Sequence, residues 1–251
     1  MLFHGNMLAA SGVLPGQSAV FHSPVVSVAA SRRSVSKAAL VYEDLRAAII
    51  ELRLTPGARI EKHEICDRLG VSRQPLAEAI TRLAGERLVD VEPQKGTFVA
   101  RIRLADVMEA AFVRRALEVA TVAAIAAAMD ETLLKRLDRI LTYQAAALKA
   151  KDWEEFYDLD VRFHATLFDR MAMRRVAAAV DSSRAPLERA RRLLLPTPGR
   201  SAATLREHRA ILAALAARDV AAAAAAMGAH LDEVIAEVTR FAARRPDLFG
   251  P

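Results

Sequence analysis

Three histidines and one aspartate in the second half of the chain could together hold a metal ion. Asp160 and His164 are four residues apart, which places a carboxylate and an imidazole one turn apart on one face of a helix. His208 and His230 belong to two later predicted helices. Three imidazoles and a carboxylate suit zinc, nickel, manganese or iron and leave positions open for water or a bidentate ligand. A lone helical histidine is more commonly a surface residue or a hydrogen-bonded core residue, so the spacing alone leaves both interpretations open.

A second group of residues, nearer the start of the chain, could read DNA. Ser72 can cap a helix and donate to a phosphate, Arg73 can pair with guanine or clamp a phosphate, and Gln74 can pair with an adenine edge. Lys95 and Gly96 occupy a turn that suits a close approach of the backbone to the minor groove. An ordinary helical hairpin with a solvated basic face would have the same spacing.

The segments around these residues predict a winged helix-turn-helix. Apolar residues recur at helical spacing over 38–52, where a Thr-Pro-Gly sequence follows, and shorter helices are predicted over 62–69 and 72–83. Residues 88–92 and 97–100 are rich in β-branched side chains and predict two strands around a glycine-containing turn. Two helices joined by a tight turn and followed by a strand hairpin can place the second helix in the major groove.

The rest of the chain predicts helices only. Asp106 with Glu109 resembles a capping pair at the start of the first of them, and Asp152 and Asp219 are suited to cap two later ones. Six amphipathic helices are predicted, over 107–129, 133–148, 153–171, 175–195, 201–217 and 220–243. We therefore expect a mainly α protein in which the winged helix-turn-helix precedes an antiparallel all-helical bundle.

This pattern divides the chain into four segments. Residues 1–35 are apolar without helical period and contain several prolines and glycines, so we interpret them as a disordered tail or as the product of a start codon placed too far upstream. Residues 36–103 form the predicted DNA-binding domain, and residues 104–245 form the predicted metal-binding, effector-binding and dimerisation domain. Residues 246–251 are predicted to be a tail.

The composition is typical of a helical protein that binds a polyanion. The chain is 53% hydrophobic but only 5% aromatic, and alanine-rich sequences of this kind favour helices. A formal net charge of +6 favours binding to nucleic acid or anionic lipid. The single cysteine, Cys66, excludes an internal disulfide and fits a reducing cytoplasm. Because no apolar run reaches transmembrane length, we expect a cytoplasmic protein with no membrane partner.

About residues 38–101 resemble the DNA-binding domain of GntR-family regulators. The resemblance rests on the sequences Leu-Gly-Val-Ser-Arg-Gln-Pro-Leu-Ala-Glu-Ala-Ile from Leu69 and Lys-Gly-Thr-Phe-Val from Lys95. With it, the interpretation as an ordinary hairpin loses its support. The resemblance implies contacts with double-stranded operator DNA by Ser72, Arg73, Pro75, Lys95 and Gly96. We add their neighbours Gln74 and Thr97 to the predicted contact set.

Two positions depart from the family pattern. Ala77 stands where the family usually has an arginine that commonly contacts DNA, and His63 stands where another basic contact is common. We therefore expect the operator affinity or the sequence preference to differ from those of typical members.

About residues 106–240 resemble the FCD domain of the FadR-type branch of the same family. The sequences Asp-Val-Arg-Phe-His from Asp160, Glu-His-Arg from Glu207 and Met-Gly-Ala-His from Met227 are similar to its three metal-binding motifs. The resemblance implies a divalent metal, zinc in the first place, held by Asp160, His164, His208 and His230. The sequence Arg-Arg-Ala-Leu-Glu from Arg114 implies that Arg114 lies near the effector pocket.

The resemblance implies a homodimeric repressor that leaves its operator when a small organic acid binds. Arg114 would hold the carboxylate beside the metal, and a hydroxy acid, sugar acid or dicarboxylate would suit such a site. Met173, at a position where many members have asparagine, indicates a less polar ligand, a ligand held by other residues, or a residue of the core.

Two alternatives stay open. The helical domain could be a dimerisation scaffold with a structural metal, or the histidines could serve a metal-dependent hydrolase. No HExxH or GxSxG motif accompanies them, so we do not expect an enzyme.

Overall fold

The described residues, 36–197 and 199–250 of a computed structural model, form ten helices and four short strands. Segment 1–35, where the sequence predicts a disordered tail, lies outside the described residues, as do residue 251 and the side chains of 181–183. The predicted fold class is confirmed: a winged helix-turn-helix is followed by helices that pack into a bundle.

The first five elements form the winged helix-turn-helix. They are α1 (Lys37–Ile50), α2 (Lys62–Leu69), α3 (Arg73–Gly85), β1 (Val89–Glu92) and β2 (Gly96–Val99). Gly70 ends α2 in the left-handed region, with φ of 62°, as its position after the last apolar residue predicts. β1 and β2 pair antiparallel, and Val91 faces Thr97. Leu45, Ile49 and Leu83 are fully buried in the core that α1 and α3 share.

Seven helices follow: α4 (Leu104–Ala127), α5 (Glu131–Ala150), α6 (Trp153–Met171), α7 (Arg174–Ser183), α8 (Ala185–Leu194), α9 (Arg200–Ala216) and α10 (Val220–Arg244). Asp152 and Asp219 cap α6 and α10 by accepting hydrogen bonds from backbone N–H groups, as predicted. The apolar faces of α4, α5, α6, α9 and α10 meet in one continuous core, which includes Ile125, Leu137 and Phe163.

Two predictions about these helices are wrong. The helix expected over 175–195 is two helices, α7 and α8, which meet at Arg184. Pro186 lies in the first turn of α8, where its missing N–H and its ring break the hydrogen bonding of a continuous helix. Asp106 does not cap α4, because the helix already begins at Leu104, and its carboxylate instead accepts a hydrogen bond from Arg87 at 3.0 Å.

The end of the described chain is not the free tail that the sequence predicts. β4 (Phe249–Gly250) pairs in parallel with β3 (Ile102–Arg103), the segment that joins the two domains. Phe249 is buried and meets Phe241 of α10 edge to face, with 6.3 Å between ring centroids. Burial of this aromatic ring holds the chain end against the bundle.

Helix α8 touches both domains. Ala185, its first residue, packs against the core of the winged helix-turn-helix. Arg189 is buried, and its Nη2 donates a hydrogen bond of 2.5 Å to the carbonyl of Ala100, just after β2. Within residues 36–197 and 199–250, no helix combines the length and the apolar character needed to span a membrane.

Candidate metal centre and DNA-binding surface

Three helices of the bundle bring the predicted histidines together. His164 of α6, His208 of α9 and His230 of α10 are all buried, and their potential ligand atoms lie within 4.8 Å of one another. Their ring centroids are 4.8 to 5.3 Å apart. Residues distant in sequence thus form one compact group of imidazoles.

Asp160 lies beside this group. It precedes His164 by one turn of α6, is buried, and places Oδ1 3.6 Å from Nε2 of His208. Its other oxygen accepts a hydrogen bond from Arg191 of α8. Burial alone would raise the pKa of Asp160, but Arg191 and the neighbouring imidazoles hold it well below its usual range. The aspartate is therefore ionised, and one of its oxygens stays open towards the histidines.

An acceptor lies beside Nδ1 of each histidine. Nδ1 of His208 is 3.0 Å from Oε1 of Gln144, and Nδ1 of His230 is 2.7 Å from Oε2 of Glu207. Nδ1 of His164 is 2.5 Å from Oε2 of Glu118, but this contact lacks hydrogen-bond geometry. Hydrogen-bonded partners such as those of His208 and His230 fix the tautomer and the orientation of metal-binding imidazoles.

Sequence reasoning missed these three partners. Gln144 did leave a signal, because it interrupts the apolar face of α5 that Leu137 and Leu141 define. Glu207 directly precedes His208 within the quoted motif, and Glu118 closes the motif that begins at Arg114. A buried polar residue on a helical face that is otherwise apolar requires a partner.

The opposite nitrogen of each ring has no partner. Among the described residues, Nε2 of His164, His208 and His230 is buried without a hydrogen bond. Burial lowers the pKa of all three imidazoles, to about 4 for His230, so the rings are neutral at pH 7. Unpaired buried nitrogens are costly, and neutral imidazole is the form that binds a metal. The donor set therefore fits a divalent cation such as zinc.

A cavity of about 150 Å³ opens beside His164, between α4, α6, α7 and α8. Arg114, which we expect near an effector pocket, lies in the wall of this cavity, and its Nε donates to Oε1 of Glu118 at 2.5 Å. Arg191, which the sequence analysis did not single out, lies in the same wall. Met173 is 43% exposed and does not line this cavity, so it is neither a core residue nor a cavity contact.

The predicted DNA-contacting residues of α3 lie at its exposed N-terminus. Ser72, Arg73 and Gln74 are exposed, and the Ser72 hydroxyl makes no capping hydrogen bond. In the part of the chain that the structure describes, Arg73 has no hydrogen bond or ion pair, whereas Gln74 donates to Glu78 at 3.0 Å. The amino end of the helix is thus free to approach a phosphate or a base edge.

The predicted contacts of the wing differ in their exposure. Lys95 is exposed and 3.2 Å from Glu92, and Gly96 has φ of 141°, a backbone conformation that favours glycine. Thr97 is only 1% exposed, so its side chain does not face solvent where DNA would lie. The alternation along β2 leaves Gly96 half-buried and turns Thr97 inward.

Two other positions matter for the DNA-binding surface. Pro75 is half-buried in the first turn of α3, and Ala77 is exposed on the same helix. Arg59 lies beside the wing, 3.2 Å from Glu61, and is a basic residue that sequence reasoning missed.

Comparison with known proteins now gives the family. The model of the family described as bacterial regulatory proteins, gntR family, matches residues 37–99, and that of the FCD domain matches residues 109–233. An HTH-type transcriptional regulator in an unstable DNA locus of Streptomyces ambofaciens is 36% identical over 84% of this chain and 88% of that protein. The chain belongs to the GntR family.

Other relatives agree with this assignment. The HTH-type transcriptional repressor RspR of Escherichia coli is 30% identical over 84% of this GntR-family chain and 92% of its own length. A crystal structure of a GntR regulator from Rhodococcus sp. RHA1 superposes with a TM-score of 0.69 at 27% identity, over 81% of this chain and 97% of that one. Escherichia coli McbR/YncC has the same fold, with a TM-score of 0.67 at 22% identity. The match covers 82% of this chain and 99% of that one. The GntR-family chain is a DNA-binding transcriptional regulator with an FCD domain.

Proposed function

We propose that this regulator is a homodimeric repressor that releases its operator when a small carboxylate binds beside a divalent metal. The observation that carries the proposal is the group of three buried, neutral imidazoles with unpaired Nε2 atoms, next to a cavity whose wall contains Arg114. The name of RspR, a repressor, supports the sign of regulation.

The proposed metal ligands are the three histidines and Asp160. Three nitrogen donors and one oxygen donor suit zinc first, with nickel, manganese or iron as alternatives. A bound divalent cation supplies positive charge that attracts a carboxylate oxygen. Arg114 holds the ligand carboxylate by a charge-assisted hydrogen bond, and Glu118, its present partner, keeps the guanidinium in the wall of the cavity.

We assign DNA binding and ligand sensing to separate domains, because the winged helix-turn-helix and the helical bundle have separate cores. Residues 36–103 form the DNA-binding domain, with Ser72, Arg73, Gln74 and Pro75 at the major groove and Lys95 and Gly96 at the minor groove. Residues 104–245 form the sensing domain. We leave Thr97 out of the contact surface because its side chain is buried.

An exposed apolar pair supports the proposed dimer. Phe112 is 76% exposed and Met108 is 44% exposed, one turn apart on α4. Large apolar side chains exposed side by side are typical of protein contact surfaces. Light scattering should give the mass of a dimer, and Phe112→Glu should shift the mass towards that of a monomer. A monomeric wild-type protein at micromolar concentration would contradict this part of the proposal.

The test of the sensor uses two substitutions with different expected metal contents. His208→Ala should lose metal in elemental analysis and lose any stabilisation by carboxylates. Arg114→Ala should keep about one ion per chain but lose the carboxylate response. Both should still bind operator DNA, because the winged helix-turn-helix has its own core.

The neighbouring Arg115 is exposed and bound to Asp232, so Arg115→Ala is the matched control and should behave as wild type. If His208→Ala keeps its metal and its ligand response, the sensor proposal is wrong. If metal is lost but no carboxylate affects the wild-type protein, a structural metal in a dimerisation scaffold is the better interpretation.

A further inference from the structure

The cavity beside His164 is apolar over most of its wall. Val161, Phe168, Val180 and Leu187 line it together with three alanines. Among the described lining residues there is no serine, threonine, asparagine or glutamine, and Tyr157 contributes their one hydroxyl group. A ligand rich in hydroxyl groups would find few uncharged partners among these described residues, and a buried hydroxyl without a partner costs free energy.

The charged side chains of the wall are already paired. Arg114 contacts Glu118, Arg191 contacts Asp160, and Nε of Arg184 is 3.3 Å from Glu188. The described lining residues include three arginines, Arg114, Arg184 and Arg191, and three acids, Glu118, Asp169 and Glu188. Among the described lining residues, the positive and negative charges therefore balance.

This balance limits the charge of the ligand. One carboxylate can be met by the metal and Arg114 of the proposed function. A second carboxylate, placed further along the wall, would meet no surplus positive charge and would have to lose its hydration among alkyl groups. The wall thus disfavours a dicarboxylate as well as a sugar acid.

We propose that the effector is a monocarboxylate with a compact apolar body, an aromatic ring or a short branched alkyl group, whose carboxylate lies at His164 and Arg114. The inference rests on the proposed function, since it assigns the ligand of that site. A cavity of about 150 Å³ is of the size that admits benzene in other proteins. Burying such a body against Val161, Phe168 and Val180 removes apolar surface from water. The sequence analysis allows hydroxy acids, sugar acids, dicarboxylates and less polar acids, and the described cavity wall favours the less polar acids.

The experiment measures binding to the full chain loaded with zinc. Benzoate and 3-methylbutanoate are compared with gluconate and succinate by calorimetry and thermal shift. We expect the two apolar acids to bind at least about tenfold more tightly than the two polar ones, because the polar groups of the latter stay unpaired. Arg114→Ala should abolish benzoate binding.

A matched pair of substitutions tests the wall itself. Val180→Thr replaces one methyl group in the cavity by a hydroxyl of similar size and should weaken benzoate about fivefold. Val176→Thr, one turn earlier on α7 and outside the lining, should leave the affinity unchanged.

The possible results separate the inference from the proposed function. Tight binding of gluconate or succinate that requires Arg114 would overturn the apolar effector and leave the sensor intact. No binding of any of the four acids to the zinc-loaded protein would overturn both. Benzoate binding that neither Arg114→Ala nor Val180→Thr alters would place the ligand elsewhere and also overturn the inference.

Discussion

Oε2 of Glu207 lies 2.7 Å from Nδ1 of His230, and the same carboxylate is held from the other side by Arg200 at 2.9 Å. Burial tends to raise the pKa of Glu207, but the hydrogen bonds from His230 and Arg200 lower it, so the group is ionised. An ionised acceptor keeps the proton of His230 on Nδ1 and leaves Nε2 available as a ligand.

Glu207→Gln should therefore weaken metal binding. The amide keeps the shape of the side chain but loses the charge that raises the basicity of His230, and such partners are typically worth about 10 to 100-fold in metal affinity. Competition with a coloured zinc chelator measures the change. Glu233→Gln on α10 is the control. This side chain is 45% exposed and paired with Arg240, so its substitution should have no effect on metal affinity. Equal zinc affinities for the two variants would remove Glu207 from the metal site.

Zinc should stabilise the folded protein against heat. Only the native state has the three imidazoles assembled, so free zinc at a hundred times its dissociation constant adds about 2.7 kcal/mol to the free energy of unfolding. Differential scanning calorimetry with zinc and then with excess chelator should show a rise and a fall of the midpoint. Magnesium, which prefers oxygen ligands, should shift it little. If zinc raises the unfolding midpoint of His208→Ala as much as that of the wild type, zinc binds at another site.

Arg73→Ala should weaken operator binding by about 1–3 kcal/mol if the side chain pairs with a base. The guanidinium is exposed at the amino end of α3. Gel-shift titration at fixed salt measures the loss. Arg240→Ala removes the same charge from α10, where the arginine pairs with Glu233 and Glu237, and should leave the affinity unchanged. An Arg73→Ala protein with wild-type affinity would exclude Arg73 as a contact.

Ala77→Arg should strengthen operator binding. Ala77 is exposed on α3, at the position where the family usually has a DNA-contacting arginine. An added phosphate contact should also make the affinity fall more steeply with salt. Ala213→Arg places the same charge on an exposed position of α9 and controls for a general charge effect. If both variants have the affinity and the salt dependence of wild type, position 77 does not face DNA.

Gly70→Ala should destabilise the DNA-binding domain by about 1–2 kcal/mol. Gly70 ends α2 with φ of 62°, a conformation that is strained for any residue with a Cβ atom. Gly85→Ala, in α3 with open space around it, should stabilise by about 0.5–1 kcal/mol. Thermal unfolding compares the two. A stable Gly70→Ala protein would mean that the turn adopts another conformation.

The sequence predicted what local patterns determine. Helical periodicity placed α1 to α6, α9 and α10, and the two capping aspartates Asp152 and Asp219 were correctly recognised. The grouping of His164, His208 and His230 followed from their motifs, since helices distant in the chain give no local indication of contact.

The rest depended on tertiary contacts. The break at Arg184 was missed because the amphipathic pattern continues across it, although Pro186 disrupts the backbone. The pairing of Phe249 with Ile102 was missed because a two-residue strand has no periodicity. The burial of Thr97 depends on the register of the wing, which a one-residue shift would reverse.

Helix α8 is short, and two of its arginines contact different parts of the protein. Arg191 faces Asp160 at the histidine cluster, and Arg189, two residues earlier, is fastened to the carbonyl of Ala100. A helix of ten residues is rigid and about 15 Å long. A displacement of α8 at Asp160 would therefore also displace its contact with Ala100, and the helix would stay folded. For the proposed sensor we therefore expect ligand binding to reach the DNA-binding domain as a tilt of α8, on the microsecond to millisecond timescale of rigid-body motions, without refolding of either core.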